Sequence, residues 1–374
     1  WVRSAGYEPP TDGAALRLSL DMTIQAIAQR ELAAACEEYD AESGQMVMMN
    51  PHTGEILAMA NYPTFDPNDL KTARPAQWRN RCVTDVLEPG STFKPFIWAA
   101  VTDAGLAQPH EIFDCGPGYW VSSQGRRLRD ASGHGRIDWE HVLVESSNIG
   151  MAMAGERMGK GRLYNAVRAF GFGQPTGSRL PGEVAGIVNP LRSWTHYSVT
   201  SIPMGQEIGV TPLQITTAFC AIANDGLRVT PTIVAMDPRE PLASAPIYER
   251  ILTPAAAQRT RSVLRRVVTE GTGRKIKDSA YTIFGKTGTA QVPDRVHGGY
   301  EPGQYIAGFV GGAPVGRPRV VVACFIQRPD RRKGYYGGIV AAPPVQRVIE
   351  QTLVYMGVEP DAPTSRVGAM LVAR

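Results

Sequence analysis

Residues 88 to 96 read EPGSTFKPF and set Ser91 and Lys94 three positions apart at the start of a helical pattern. Positions i and i+3 share a helix face, about 5–6 Å apart at Cβ. A serine hydroxyl is a poor nucleophile until a neighbour takes its proton, and a neutral lysine amine can take it. At a helix start the backbone N–H groups lack partners and can stabilise an oxyanion. Pro95 disfavours helical angles before it and is tolerated only in a first turn, so it places Ser91 at the helix N-terminus. The chemistry on offer is acyl transfer through a serine. The plain alternative is a solvated lysine on a helix end, and one Ser-x-x-Lys does not choose between them.

Two further patterns bear on that choice. Ser146-Ser147-Asn148, in VESSNIG, reads on its own as the N-cap of a helix beginning near Ile149. On one side of a tight turn, Ser146 could instead relay a proton and Asn148 could hold a substrate peptide bond. Lys286-Thr287-Gly288-Thr289, in IFGKTGTAQ, invites a phosphate-loop reading. That motif needs a glycine where this chain has Ala280, and the preceding residues look like strand. The alternative is a strand edge that pairs with an extended peptide. Gly288 would let the peptide approach closely, and Lys286, Thr287 and Thr289 could hold a carboxylate.

The elements that must position these residues follow from periodicity. Asp21 is a good N-cap for a helix whose apolar face is Ile24, Ile27, Ala28, Leu32 and Ala35. GQMVMMNPHTGEILAMANY reads as two strands about a turn at Pro51–Gly54. A helix is expected over about 91–104. Helical stretches near 140–145, 149–158, 161–170 and 211–224 alternate with Gly/Pro-rich loops. A helix over 254–270 precedes three strand-like runs, YTIFGKTGTAQV, YIAGFVGGA and RVVVACFIQ, and a last helix follows Ala342. This order predicts an α/β lobe from about 17–104 and 251–358, with a mainly helical lobe over 105–250 inserted between. Residues 1–16 read as a linker remnant and 359–374 as a tail.

Composition narrows the function. With 43% hydrophobic and 20% charged residues, the 374-residue chain has ordinary globular character. Lys plus Arg number 39 against 35 Asp plus Glu, a surplus too small to argue for nucleic acid. The five cysteines are scattered and form no Cys-x-x-Cys, and the six histidines form no His-x-x-x-His, so the sequence offers neither a disulfide framework nor a metal site. No run of eighteen apolar residues spans a membrane. The opening at Trp1, without a methionine, reads as a fragment of something longer.

In this order, Ser-x-x-Lys, Ser-x-Asn and Lys-Thr-Gly are the set found in β-lactamases and penicillin-binding proteins. Over residues 17–358 the chain resembles the transpeptidase domain of class B penicillin-binding proteins. The likeness is carried by MNPHTGEILAMANYPTFDPND, EPGSTFKPF, VESSNIG, FGFGQPTG, GVTPLQ, GKTGTAQ and GYYGGIVAAP. It implies the serine β-lactamase-like α/β fold, an antiparallel sheet flanked by helices plus an all-helical subdomain with the site between. It also implies peptidoglycan cross-linking without a cofactor or metal. Ser91 would attack the penultimate D-Ala carbonyl of a stem peptide and expel the last D-Ala, and an amine of a neighbouring stem would take the acyl group. Lys94 would be the base, Ser146 and Lys286 would serve the leaving amine, and Asn148 would bind the donor amide. The N–H groups of Ser91 and Thr289 would form the oxyanion hole, while the Thr287 and Thr289 hydroxyls would receive the terminal carboxylate or that of a β-lactam. Tyr300, Tyr305 and Tyr336 stand at offsets resembling the family's aromatic wall, with structural tyrosines at strand ends as the alternative.

The resemblance further implies the extracytoplasmic face of a bacterial membrane, an N-terminal membrane anchor and a membrane-embedded glycosyltransferase partner. SIPMGQEIGVTPLQ and VESSNIG are similar to division-type members and RRLRDASGHG to elongation-type ones; division is favoured. A β-lactamase of this motif class would carry a Glu-x-x-Leu-Asn loop, which is missing, since Glu183 is followed by asparagine only at Asn189. A D,D-carboxypeptidase and a catalytically silent β-lactam receptor remain as alternatives.

Overall fold

The computed structural model describes residues 11–13, 15–236, 246–294 and 296–362. Most of the expected linker over 1–16, and the expected tail from residue 363 onward, lie outside these residues. Helix α1 (Met22–Glu38) starts where the Asp21 carboxylate accepts the N–H groups of Thr23 and Ile24 at 2.9 and 3.0 Å. Its Ile24, Ile27, Ala28, Leu32 and Ala35 form the buried stripe. The chain then makes the hairpin β1 (Ser43–Met49) and β2 (Ile56–Tyr62). Its remaining sheet partners come from far down the chain: β9 (Phe284–Pro293), β10 (Tyr300–Ala313) and β11 (Val320–Gln327). The five strands run β2-β1-β11-β10-β9, every pair antiparallel. β11, VVVACFIQ, is a β-branched run covered on both faces, hence its unbroken apolar character. β9, which carries Lys286 to Thr289, is an edge strand.

Period-2 alternation sends successive residues of β1 into different cores. Met46 and Met48 pack with α1 and with Val345, Val348 and Ile349 of α10 (Ala342–Tyr355). Val47 and Met49 pack on the other face, against a core that takes in residues of α3 (Lys94–Asp103), α7 (Pro212–Ala223) and α8 (Pro254–Thr269). All of α7 is buried, and it opens with a capping box in which Thr211 and Gln214 satisfy one another's backbone N–H.

Between α3 and α7 the α-helices are α4 (Trp139–Val144), α5 (Asn148–Ala169) and the single turn α6 (Ser198–Ser201), set among long loops. The two helices expected over 149–158 and 161–170 are one run broken at Gly159, whose φ of 72° leaves the helix. The region also holds β3 (Ile112–Asp114) paired with β6 (Arg136–Asp138), and β4 (Tyr119–Val121) paired with β5 (Arg127–Arg129). A third ribbon pairs β7 (Leu227–Val229) with β8 (Tyr248–Arg250). Strands of three residues are too short to show alternation, which is why the sequence reading had only helices and loops here. Two further single turns are α2 (Arg81–Thr84) and α9 (Gly337–Val340). Among the described residues no helix is long and apolar enough to cross a membrane.

Candidate active site

The helix expected over 91–104 is a 3-10 turn, Gly90–Phe93, running into α3. Pro95 sits in the first turn of α3, and the N–H of Lys94 donates to the carbonyl of Ser91. In 3-10 geometry side chains at i and i+3 eclipse, which places Lys94 behind Ser91 more directly than an α-turn would. The turn is held from below: the Thr92 hydroxyl donates to the Pro89 carbonyl at 2.7 Å, and Leu87 and Val210 exchange backbone bonds.

Lys94 is fully buried, which excludes the solvated reading. Its Nζ donates to the Ser146 carbonyl at 2.5 Å, Asn148 Oδ1 at 2.7 Å and Ser146 Oγ at 3.2 Å. Among the described residues these, rather than Ser91 Oγ, are its partners. Catalytic hydrogen bonds are often loose in a free enzyme and tighten on substrate. Lys286 enters from β9, also fully buried, and donates to Ser146 Oγ at 2.9 Å and to the Thr287 carbonyl at 3.2 Å. The Ser146 hydroxyl therefore lies between two buried amines. Burial pushes Lys94 down to about 7, while the Asp130 carboxylate pulls the other way. Lys286 is pushed far below the ordinary lysine range by burial and by the charge of Lys94. A neutral amine near neutrality is what a serine base requires.

Ser146 reaches this position through a backbone φ of 61°, uncommon for a residue with a side chain. Ser147, not Ser146, caps α5, accepting the Gly150 N–H at 3.0 Å. The cap reading of this stretch is thus realised by Ser147, which leaves the Ser146 hydroxyl to the two lysines. Underneath lies Asp130, which the sequence reading missed, its side chain 1% exposed. Its carboxylate accepts the Ser147 hydroxyl at 2.6 Å and the N–H groups of Asn148 and Ile149 at 2.5 and 3.2 Å. His134 lies 4.0 Å away. Asn148 also donates from Nδ2 to the Arg129 carbonyl at 3.0 Å, tying α5 to β5.

On β9 the hydroxyls of Thr287 and Thr289 are each engaged from behind. Thr287 shares a 2.6 Å hydrogen bond with Thr272, and Thr289 Oγ1 accepts the Gly337 N–H at 3.1 Å. A Cβ on Gly288 would lie 2.7 Å from a methyl of Thr92 and 3.0 Å from the Pro89 carbonyl. The side on which Gly288 lacks a Cβ is thus filled by the Ser91 turn, so the missing side chain serves the packing of β9 against that turn. A Cβ on Gly337 would come within 2.2 Å of the carbonyls of Gly288 and Gly308, so α9 rests directly on the strands.

The three tyrosines do not form one wall. Tyr305 stacks on Tyr335 with ring centroids 4.4 Å apart, and Tyr335 on Tyr336 at 4.3 Å, with the Arg331 guanidinium over the first two rings. Tyr335, unassigned in the sequence reading, is the middle of the stack. Tyr300 stands apart, because the β9–β10 register shifts between Tyr300 and Tyr305. Its hydroxyl donates to Glu88 at 2.9 Å, burial and that carboxylate push it up, and burial also raises Glu88.

Two adjoining cavities meet at Ser91, Asn148 and Thr289. One, of about 600 Å³, is lined by Ser146, Thr287, Gly288, Lys275 and Tyr336. The other, of about 450 Å³, is lined by Glu88, Arg127, Arg129, Gln291 and Tyr300. Ser91 therefore faces a continuous groove along the edge of β9. Among the described residues no cluster suited to a metal is present.

A family profile, penicillin binding protein transpeptidase domain, matches residues 44–350. The chain is 35% identical over 355 residues to a probable peptidoglycan D,D-transpeptidase PenA of Neisseria meningitidis, covering 95% of this chain and 59% of that protein. It is 36% identical over 368 residues to stage V sporulation protein D of Bacillus subtilis, covering 95% and 56%. It thus spans little more than half the length of these relatives. The transpeptidase domain of Burkholderia pseudomallei penicillin-binding protein 3 superposes with a TM-score of 0.83 at 32% identity, covering 93% of this chain and 98% of that one. With a serine, two buried lysines and an edge strand arranged as above, the chain belongs to the penicillin-binding protein transpeptidase domain family, within class B.

Proposed function

We propose that the chain is the catalytic domain of a peptidoglycan D,D-transpeptidase working through a Ser91 acyl-enzyme. One observation carries the reading: the Ser146 hydroxyl bridges Lys94 and Lys286, both buried, beside the groove that Ser91 lines. Lys94, neutral, takes the Ser91 proton as Oγ attacks the penultimate D-Ala carbonyl. The Ser91 and Thr289 N–H groups bind the oxyanion. Collapse breaks the peptide bond, and Ser146, backed by Lys286, passes a proton to the departing D-Ala amine. An acceptor amine then enters where D-Ala left, and the same groups run in reverse. Asn148 holds the donor amide. Thr287 and Thr289, whose oxygens already accept or share protons from behind, turn their hydroxyl protons to the terminal carboxylate. Tyr336 and Tyr300, both on the groove, border the substrate, and Tyr305 acts through Tyr335.

The α/β lobe over 17–104 and 251–358 and the helical lobe over 105–250 are part of this reading. So are a place on the extracytoplasmic face of a bacterial membrane, a membrane-embedded glycosyltransferase partner and a role in division, supported by SIPMGQEIGVTPLQ and VESSNIG. The test is intact-protein mass spectrometry with benzylpenicillin, followed by a D-Ala-D-Ala donor with a D-amino acid acceptor. One adduct, absent in Ser91→Ala, and an aminolysis product are expected. Labelling that survives Ser91→Ala would sink the nucleophile, hydrolysis without aminolysis would make the domain a carboxypeptidase, and acylation with no turnover would make it a receptor.

A further inference from the structure

The proposed mechanism uses one half of the groove fully and leaves the other unexplained. The 450 Å³ cavity carries three arginines, Arg126, Arg127 and Arg129, around the buried Leu128. Arg126 is committed to structure: its Nη1 donates to the Tyr197 carbonyl at 3.2 Å, to Thr200 Oγ1 at 3.0 Å and to Ser201 Oγ. Arg127 and Arg129 are exposed on one face of β5. Among the described residues neither has a carboxylate partner; Arg127 only lies over the Tyr119 ring at 4.6 Å. The acidic group in the same cavity is already used, since Glu88 accepts the Tyr300 hydroxyl at 2.9 Å and the Glu207 N–H at 3.3 Å. Asp130, next in sequence to Arg129, is turned inward on the cap of α5. β5 itself is fixed to the site, because the Arg129 carbonyl receives the Asn148 amide at 3.0 Å. The backbone that carries these two arginines is therefore fixed beside Ser91, and their exposed side chains reach the groove without a carboxylate partner among the described residues.

The direction of the groove says what reaches them. Thr287 and Gly288 line the larger cavity, while Ala290 and Gln291 line the smaller. A peptide that adds antiparallel to β9, with its C-terminal carboxylate at Thr287, runs its upstream residues past Gln291 toward β5. We propose that Arg127 and Arg129 bind a free carboxylate of the donor stem peptide upstream of its D-alanyl pair, and so select donors that carry one. Guanidinium suits the task, since its planar fork matches a carboxylate. The inference rests on the transpeptidase reading for the direction of the peptide. Two groups of a stem can supply the charge, the α-carboxylate of a γ-linked glutamyl residue and the second carboxylate of a diamino diacid at the next position.

The experiment measures how three synthetic pentapeptide donors slow labelling by fluorescent penicillin. One has both carboxylates free, one is amidated at the glutamyl position, and one is amidated at the diamino diacid. The free peptide should compete at about tenfold lower concentration than one of the amides, which identifies the source, and added salt should shrink the gap. In the double variant Arg127→Gln, Arg129→Gln, with competition scaled to that variant's own labelling rate, the preference should fall within about twofold. Equal competition by all three peptides, competition by none, or a preference that survives the double variant overturns the proposal. D-Ala release with transfer to a D-amino acid, run on the parent, separately decides the transpeptidase reading, so the two can fail independently.

Discussion

Burial keeps Lys94 from water and lowers its pKa to about 7, and in the proposed role of base this gives a definite pH dependence. Only the neutral amine can take the Ser91 proton, so acylation should rise about tenfold per pH unit up to about 7 and level off above it. The groups that set this limb are Asp130, which raises the lysine, and Lys286, whose protonation would oppose that of Lys94. Lys94→Arg keeps the charge but supplies no neutral amine, and should lower acylation by orders of magnitude across the profile. The same burial couples to stability. The folded pKa lies below the ordinary lysine value, so between about 7 and 10.5 the unfolded chain binds more protons and stability rises with pH. Denaturant melts across that window should show the increase, and Lys94→Met should reduce its slope, leaving the part that buried Lys286 contributes with the same sign. Asp130→Asn removes the charge and one acceptor oxygen from the cap of α5. It should cost about 1–3 kcal/mol, and it should move the acylation limb to lower pH. A stability loss without movement of the limb would mean that Asp130 acts on packing alone.

At the scale of elements, the site is set by how closely β9, the Ser91 turn and α9 approach one another. Gly337 has no room for a side chain, because two backbone carbonyls lie within 2.2 Å of where its Cβ would be. Gly337→Ala must lift α9 and withdraw the N–H that steadies Thr289. With the fold intact by circular dichroism, acylation should fall about a hundredfold, since a displacement near 1 Å is enough for that. Labelling at the parent rate would show that α9 does not position the strand. What could be read in advance divides along the same lines. Ser91 with Lys94 and Ser146 with Asn148 are short-range patterns, visible because three-residue and two-residue spacings have a local geometry. Helix α1 was legible from its cap and apolar face, and α7 and α8 as helical stretches. Asp130 was not, since its partners Ser147 and Asn148 lie 17 and 18 positions on, across a loop and a helix that no local pattern joins. The bond from Tyr300 to Glu88 spans 212 positions, and the register shift in β10 that separates Tyr300 from Tyr305 has no signature in the order of residues.

For the molecule as a whole, the core leaves little freedom for one half to open without the other. A single cluster joins Val47, Val310 and Phe325 of the sheet to Trp139, Ile149 and Phe170 of the middle region. The five cysteines are all buried, unpaired reporters: Cys115 sits in the middle region and Cys324 in the central strand. Burial raises both thiols. Under native conditions a thiol reagent should label them together, at one rate that falls with added stability. Earlier labelling of Cys115, read by peptide mapping, would show that the middle region opens alone.

The pairing of β1 with β11 also sets an order in time. Gln45 and Gln327 lie side by side although 282 positions separate them in the chain. The hairpin of β1 and β2 is made early in synthesis and must then wait, one edge uncovered, for the strand that closes it. Lys286 follows Ser91 by more than half of the described length, so a growing chain holds Ser91 and Lys94 for a long interval before the second buried amine of the proposed site arrives. Long-range pairing of this kind slows folding. Penicillin labelling during refolding should consequently appear late, after the bulk of the helical signal, as the last property the chain acquires.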